Sequence, residues 1–192
     1  MRLCIDPGHG GSDAGAQTKQ PATLREKDVN LAIALQLERE AQRQGWDSLT
    51  TRLQDRTLSL ASRATFANRF KADLFVSIHC NAAASPEVEG IEVYHFPGSP
   101  QGRWLALHVI DKLLARFPDH HSRGVKEANF AVLRRTKMPA VLVECEFLTS
   151  PKQAAFLKDA KNQAAIAEAI ADGIGAATGA PFQDVLPLRL KG

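Results

Sequence analysis

The sequence predicts an α/β fold, a three-layer α/β/α sandwich built on a mostly parallel, mixed central sheet of about six strands. Segments 73–79 and 139–147 are apolar runs of strand length, which is typical of central strands covered on both faces. Helical patterns, with apolar residues at steps of three and four, alternate with these and other short strands along the chain. This alternation is typical of a sheet with helices on both faces.

The composition is that of one globular domain. The chain has 192 residues, of which 44% are hydrophobic and 23% are charged, and this length can bury a substantial core. We predict a domain at 1–180 and a C-terminal tail at 181–192. The three cysteines are an odd number at scattered positions, so the sequence has neither a disulfide framework nor a CxxC metal site. We expect a monomer.

The charge and the hydropathy limit the classes of partner. The formal net charge of +3 favours anionic partners weakly and gives no argument for nucleic acid. No apolar run approaches the roughly 20 residues that span a bilayer, and the N-terminus lacks a basic region followed by an apolar stretch. We therefore expect neither a transmembrane segment nor a signal peptide in this sequence.

The first half of the chain predicts two strand–helix units. A strand at 3–5 leads into a glycine-rich turn and a polar loop. The helix that follows has Asp28 as its predicted N-cap, and apolar residues recur along it at four-residue steps. A short strand at 47–52 and a second helix, capped by Thr57, complete this half.

The second half predicts four more strands, at 73–79, 90–95, 129–133 and 139–147. A long amphipathic helix follows the second of these strands and ends near Phe117, before a polar loop. We interpret the third strand as a short edge strand. Two helices close the domain, the first of them with a capping-box pattern formed by Ser150, Pro151 and Gln153.

Four residues with side chains suited to metal or acid–base chemistry stand at the predicted ends of these elements. His9 follows a strand, and His79 ends the strand at 73–79. Glu26 lies just before the first helix, and Glu144 lies near the end of the strand at 139–147. In open α/β sheets, ligands bind outside the carboxyl ends of the strands. Hydrolytic zinc sites take three protein ligands from histidine and carboxylate, and a further carboxylate moves the proton. The alternative is that these residues are buried polar caps of strand ends.

Four motifs of this sequence, in this order, resemble the zinc-dependent N-acetylmuramoyl-L-alanine amidases of the Amidase_3 family. They are IDPGHGG at 5–11, REKDVNL at 25–31, SIHCNA at 77–82 and MPAVLVE at 138–144. The resemblance covers about residues 2 to 177. Shorter stretches that also resemble the family lie at 51–52, 55–56, 60–68 and 90–94.

The resemblance implies a phosphorylase/hydrolase-like version of the sandwich and a specific reaction. The zinc ligands of the family fall on His9, Glu26 and His79, and its catalytic glutamate falls on Glu144. The implied reaction is hydrolysis of the amide that joins the lactyl group of N-acetylmuramic acid to the L-alanine of the stem peptide. The implied cofactor is one Zn²⁺, and the implied substrates are peptidoglycan and muramoyl-peptides.

Two positions depart from the family. Glu146 stands where the family commonly has glycine, and Ser150 where it often has asparagine. Strand parity could place Glu146 on the face of Glu144, where a second carboxylate would raise the pKa of Glu144. We interpret Glu146 instead as a solvated loop residue, and the adjacent His120 and His121 in the same way.

Some members of the resembled family carry a long insertion after the second histidine strand, which folds as a helix over the zinc. Here only residues 82–89 separate Asn81 from the next strand, too few for several helical turns at about 1.5 Å per residue. We therefore predict an open site that needs no activator.

The predicted place of action is the periplasm or the cell wall, reached by another route or in a longer exported chain, with the cytoplasm as the alternative. Two other functions stay open from the sequence. One is a zinc exopeptidase on a related sheet, and the other is a catalytically silent wall-binding or regulatory module.

Overall fold

The computed structural model describes residues 1–18 and 23–179, and here six strands and six helices form one layered structure. The strands are β1 (Arg2–Pro7), β2 (Asp47–Thr50), β3 (Leu74–Asn81), β4 (Ile91–His95), β5 (Ser122–Glu127) and β6 (Ala140–Phe147). The helices are α1 (Glu26–Arg43), α2 (Leu60–Phe70), α3 (Pro100–Arg116), α4 (Ala131–Arg135), α5 (Pro151–Lys158) and α6 (Ala160–Gly179). The predicted tail at 181–192 lies outside the described residues.

The six strands form a single mixed sheet in the order β2-β1-β3-β6-β4-β5. Neighbouring strands are parallel except β4 and β6, which are antiparallel. The predicted fold class, an α/β sandwich on a mostly parallel sheet of about six strands, is confirmed. Because β1, β3 and β6 are parallel neighbours, their carboxyl ends lie at one edge of the sheet.

Side chains alternate between two different faces of the sheet. On one face, α1 and α3 pack against α6 over the larger apolar cluster, which includes Ile5, Ile78 and Val143. On the other face, α2 packs against α4 over a smaller cluster, which includes Phe75 and Leu142. The alternation from Leu142 puts Glu144 on this second face, near the carboxyl end of β6.

No helix within residues 1–18 and 23–179 is long and apolar enough to cross a membrane.

The third predicted strand of the second half, at 129–133, is wrong. Residues 131–135 form the short helix α4, and the edge strand is β5, in part of the stretch interpreted as a loop. Short apolar runs fit a strand and a buried helical turn equally well, which explains the first error. Gly124 has φ 80° and interrupts the alternation of side chains along β5, which explains why this strand was interpreted as a loop.

Two predicted helix caps are also wrong, and a third is right in position only. Helix α1 begins at Glu26, two residues before Asp28, and its N-cap Arg25 makes no side-chain cap hydrogen bond. Helix α2 is capped by Ser59, whose hydroxyl accepts a hydrogen bond from Ser62 N, while the Thr57 hydroxyl accepts one from Ser12 N. Ser150 is the N-cap of α5 and Pro151 is its first residue, as predicted, but no capping box forms. Ser150 makes no side-chain cap hydrogen bond, and the Gln153 amide donates to Glu89 at 2.6 Å.

Candidate metal centre and active site

The loop after β1 is held by two buried arginines. Arg52 donates hydrogen bonds to the carbonyl oxygens of Pro7 at 3.0 Å and Gly8 at 2.9 Å. Arg63 donates to the carbonyls of Pro7 and His9, both at 2.6 Å. His9 has φ 59°, a conformation that costs a residue with a Cβ atom free energy. The arginine hydrogen bonds stabilise this backbone and so fix where the His9 side chain lies.

Glycines make room for the imidazoles beside this loop. Gly8 lies against the His79 ring, and a Cβ atom at Gly8 would collide with that ring. Gly15 has φ +64°, and a Cβ atom there would collide with the Glu26 carboxylate and the His9 ring. The close approach of backbone to side chains therefore requires glycine at both positions.

His9, Glu26 and His79 converge at the carboxyl ends of β1 and β3. Glu26 Oε1 lies 3.1 Å from His9 Nε2 and 3.0 Å from His79 Nδ1. One ligand atom from each residue lies within 4.8 Å of the others, and the group could hold a metal ion. Two imidazoles and one carboxylate are a donor set that suits Zn²⁺. The residues present therefore fit the metal that the sequence predicts.

Further hydrogen bonds orient these three side chains. His9 Nδ1 lies 2.9 Å from Asp13 Oδ2, which leaves Nε2 directed at Glu26. Glu26 accepts hydrogen bonds from Ala16 N at 2.8 Å and Cys80 N at 3.1 Å. Such outer partners fix the orientation of metal-binding side chains.

The charges of the group favour an ionised carboxylate. Burial raises the pKa of Glu26, but hydrogen bonds from His79 and His9 outweigh it and hold the pKa well below the ordinary value. The hydrogen bond to Glu26 raises the pKa of His9, and Asp13 adds to this effect. A cation beside Glu26 is therefore stabilised, whether it is a proton on His9 or a metal ion.

Glu144 lies beside the three candidate ligands. In the β3–β6 register Glu144 is opposite His79, and parallel neighbours in register point to the same face. Its Oε2 atom is buried and has no hydrogen-bond partner among the described residues. Burial, with the charges of Glu26 and Glu92, raises the pKa of Glu144 well above its ordinary value. A partly buried carboxyl of raised pKa is typical of a group that gives and takes a proton.

The solvated interpretation of Glu146 is wrong, and so is that of His120. Glu146 is fully buried, and it accepts hydrogen bonds from Gly90 N at 2.7 Å and Phe147 N at 3.1 Å. Its other oxygen lies 2.9 Å from His120 Nδ1. The β3–β6 register shifts after His79, which forms a bulge and breaks the simple alternation that would pair Glu146 with Glu144.

The cysteines at the site are buried thiols. Cys80 and Cys145 are free and buried, and burial raises the pKa of both thiols well above the ordinary value. Thiols in this state are poor nucleophiles.

A second polar group, which was not predicted from the sequence, lies on the face of Glu144. Buried Glu92 lies opposite Glu144 in the β4–β6 register. It accepts hydrogen bonds from Asn81 Nδ2 at 2.6 Å and Tyr94 OH at 2.7 Å on one oxygen, and from Arg123 and Lys126 on the other. The only sequence signal was a charged residue between Ile91 and Val93, two apolar residues of one strand.

The family match decides the identification. The Amidase_3 family, described as N-acetylmuramoyl-L-alanine amidase, matches residues 3–176. This chain belongs to the Amidase_3 family. Among curated relatives, it is 37% identical over 179 residues to N-acetylmuramoyl-L-alanine amidase CwlM of Bacillus licheniformis, covering 92% of this chain and 68% of CwlM. It is 34% identical over 172 residues to the probable cell wall amidase LytH of Staphylococcus aureus, covering 90% of this chain and 56% of LytH.

Solved Amidase_3-like structures share the fold over nearly the whole chain. The N-acetylmuramoyl-L-alanine amidase of Clostridium difficile 630 superimposes with a TM-score of 0.90 at 36% identity, covering 93% of this chain and 97% of that one. AmiC2 of Nostoc punctiforme, also an N-acetylmuramoyl-L-alanine amidase, superimposes with a TM-score of 0.88 at 36% identity, covering 94% and 98%.

Proposed function

We propose that this chain hydrolyses the amide between N-acetylmuramic acid and the L-alanine of the stem peptide in peptidoglycan, with one zinc ion as cofactor. The observation that carries the proposal is the convergence of His9, Glu26 and His79 beside the half-buried side chain of Glu144. Membership of the Amidase_3 family and the names of the relatives CwlM and LytH support the choice of substrate.

His9, Glu26 and His79 would hold the zinc ion. Zinc supplies a Lewis acid, which polarises an amide carbonyl and lets water attack near neutral pH. Glu26 contributes the negative charge of the ligand set, and the two imidazoles contribute neutral nitrogen donors once they have lost their protons. The Asp13 carboxylate keeps the His9 ring in its orientation.

Glu144 carries the proton. It accepts the proton that water loses during attack on the carbonyl carbon, which forms the new carbon–oxygen bond. It then donates this proton to the nitrogen of L-alanine as the carbon–nitrogen bond breaks. The products are a lactyl carboxylic acid and a peptide with a free alanine amine. No residue that the structure describes donates a hydrogen bond to Glu144 Oε2, so no protein contact at that atom competes with this transfer.

The cleft that we propose for the substrate is open. Residues 82–90, between β3 and β4, contain no helix. We propose that the chain acts on the cell wall and needs no activator protein to uncover the site.

Digestion of purified peptidoglycan by the purified chain, with products identified by mass spectrometry, tests the proposal. The expected products carry a free L-alanine amine and an unsubstituted lactyl carboxylate, and a chelator stops their formation. Cleavage of free peptides alone would support an exopeptidase instead. Binding without any cleavage would support a silent wall-binding module, and dependence on an added activator would contradict the open site.

A further inference from the structure

A bulge in β5 turns two basic side chains towards one face of the sheet. In the β4–β5 register Ile91 pairs with Ser122 and Glu92 with Gly124, so Arg123 has no counterpart on β4. In a regular strand, residues three apart such as Arg123 and Lys126 point to opposite faces. The extra residue removes this opposition, and bulges next to active sites commonly redirect a side chain in this way.

Both basic groups bind the same buried carboxylate. Arg123 Nε donates to Glu92 Oε2 at 2.8 Å, and Lys126 Nζ donates to the same oxygen. One carboxylate balances one positive charge, so the group keeps a surplus of positive charge. The two basic side chains remain 31% and 36% exposed, whereas that of Glu92 is 3% exposed. The surplus charge is therefore accessible to a ligand.

This basic pair lies within reach of a stem peptide bound at the proposed site. Glu92 is opposite Glu144, and the strand that bears the basic pair is one strand further from β6. Strands are about 4.8 Å apart, so Glu92 lies roughly 10 Å along the sheet from the candidate ligand His79, which is two strands away on β3. In an extended stem peptide, the residue after L-alanine carries its α-carboxylate at most about 7 Å from the scissile carbonyl. A hydrogen bond of about 3 Å from a basic group spans the remaining distance.

We infer that Lys126 and Arg123 form a subsite for the free α-carboxylate of the second stem-peptide residue, D-glutamate. This inference rests on the proposed function and names a specificity determinant for it. The occupied oxygen of Glu92 holds the two cations in place, and their exposed N–H groups donate to the carboxylate of the substrate. Charge-assisted hydrogen bonds of this kind discriminate strongly against a neutral amide in the same position.

Two substrates that differ only in that group test the subsite. They are N-acetylglucosaminyl-N-acetylmuramoyl-L-alanyl-γ-D-glutamyl-L-lysine and the same compound with its glutamate α-carboxylate amidated. The unaltered zinc-loaded chain is expected to cleave the carboxylate form with about tenfold higher kcat/KM, mainly through KM, because hydrogen bonds to charged groups have about this effect. In Lys126→Met, the loss of kcat/KM is expected to be about tenfold larger on the carboxylate form than on the amidated form.

Two further variants separate recognition from structural support. Lys126→Arg keeps the charge and should keep the preference for the carboxylate form. Lys112→Met, which removes a lysine of similar exposure (41%) on α3, should leave kcat/KM for both substrates unchanged. An equal loss on both substrates in Lys126→Met, or no preference in the unaltered chain, would overturn the inference alone. Cleavage of neither substrate by the unaltered chain would overturn the proposed function as well.

Discussion

Replacing Glu144 with glutamine separates proton transfer from folding and from metal binding. The substitution keeps the shape of the side chain and removes its ability to take a proton. Glu144 Oε2 accepts no hydrogen bond from the described residues, so the change breaks no contact at that atom. Because burial, Glu26 and Glu92 all disfavour a negative charge at this position, the neutral amide is expected to leave the free energy of unfolding unchanged or higher.

The expected loss of activity is large. Removal of a general base commonly lowers turnover by 10²–10⁴-fold, which corresponds to about 3–5 kcal/mol of transition-state stabilisation. The loss should fall on kcat, because Glu144 is placed to act on the water and the leaving amine rather than on the remote parts of the substrate. Zinc stoichiometry should stay at that of the unaltered chain, since Glu144 is not among the three candidate ligands.

The assay is the release of free alanine amines from peptidoglycan, followed together with zinc content and urea unfolding of the same preparations. Near-normal kcat in Glu144→Gln would refute this role. A loss of zinc or a large loss of stability in that variant would show that Glu144 supports the site structurally instead.

The remaining predictions concern the ligand set and the buried acids. His79→Ala should fold but retain no zinc after gel filtration, as measured by atomic spectrometry, and full retention would reject His79 as a ligand. Glu146→Gln should lower the free energy of unfolding in urea by about 1–3 kcal/mol, because three hydrogen-bond partners lose a charged acceptor. Glu168→Gln, at an exposed ion pair with Arg116, should lower the free energy of unfolding by less than about 1 kcal/mol. Equal losses of stability in Glu146→Gln and Glu168→Gln would contradict the structure. Burial raises the pKa of Glu92, but the opposite effect of the hydrogen bonds from Lys126, Tyr94 and Arg123 is larger. The pKa of Glu92 is therefore below the ordinary value of 4.5. The stability that Glu92 contributes should therefore be present above that pH and disappear as the pH falls through the folded-state pKa, so urea unfolding of Glu92→Gln and the unaltered chain should differ at pH 7 and converge in acid.

The sequence predicted the central part of the fold because its strands are long apolar runs between turn residues. Strands β3 and β6 are buried on both faces, and near-continuous apolar runs of this length are typical of such strands. The edge strand β5 carries basic residues, a glycine with positive φ and a bulge, and none of these leaves an alternating pattern. Strand β5 is recognised by its pairing with β4, and this pairing is visible only in the folded structure.

The candidate ligands were predictable because each stands at the end of an element that itself had a clear pattern. The residues that hold these ligands in place were not predictable, because their role depends on contacts between distant segments. Arg52 and Arg63 bind the backbone of the β1 loop from 44 to 56 residues away. The interpretation of Glu146 failed for the same reason, since its partner His120 is 26 residues away and a bulge decides which way the carboxylate points.

Zinc K-edge X-ray absorption of the purified, zinc-loaded chain measures the proposed ligand set itself. One zinc ion is expected, bound by two histidine nitrogens and a carboxylate oxygen at about 2.0–2.2 Å and by no sulfur. Sulfur scattering at about 2.3 Å, from any of the buried cysteines Cys4, Cys80 and Cys145, would contradict the ligand set of His9, Glu26 and His79. Failure of the chain to take up zinc would contradict it equally.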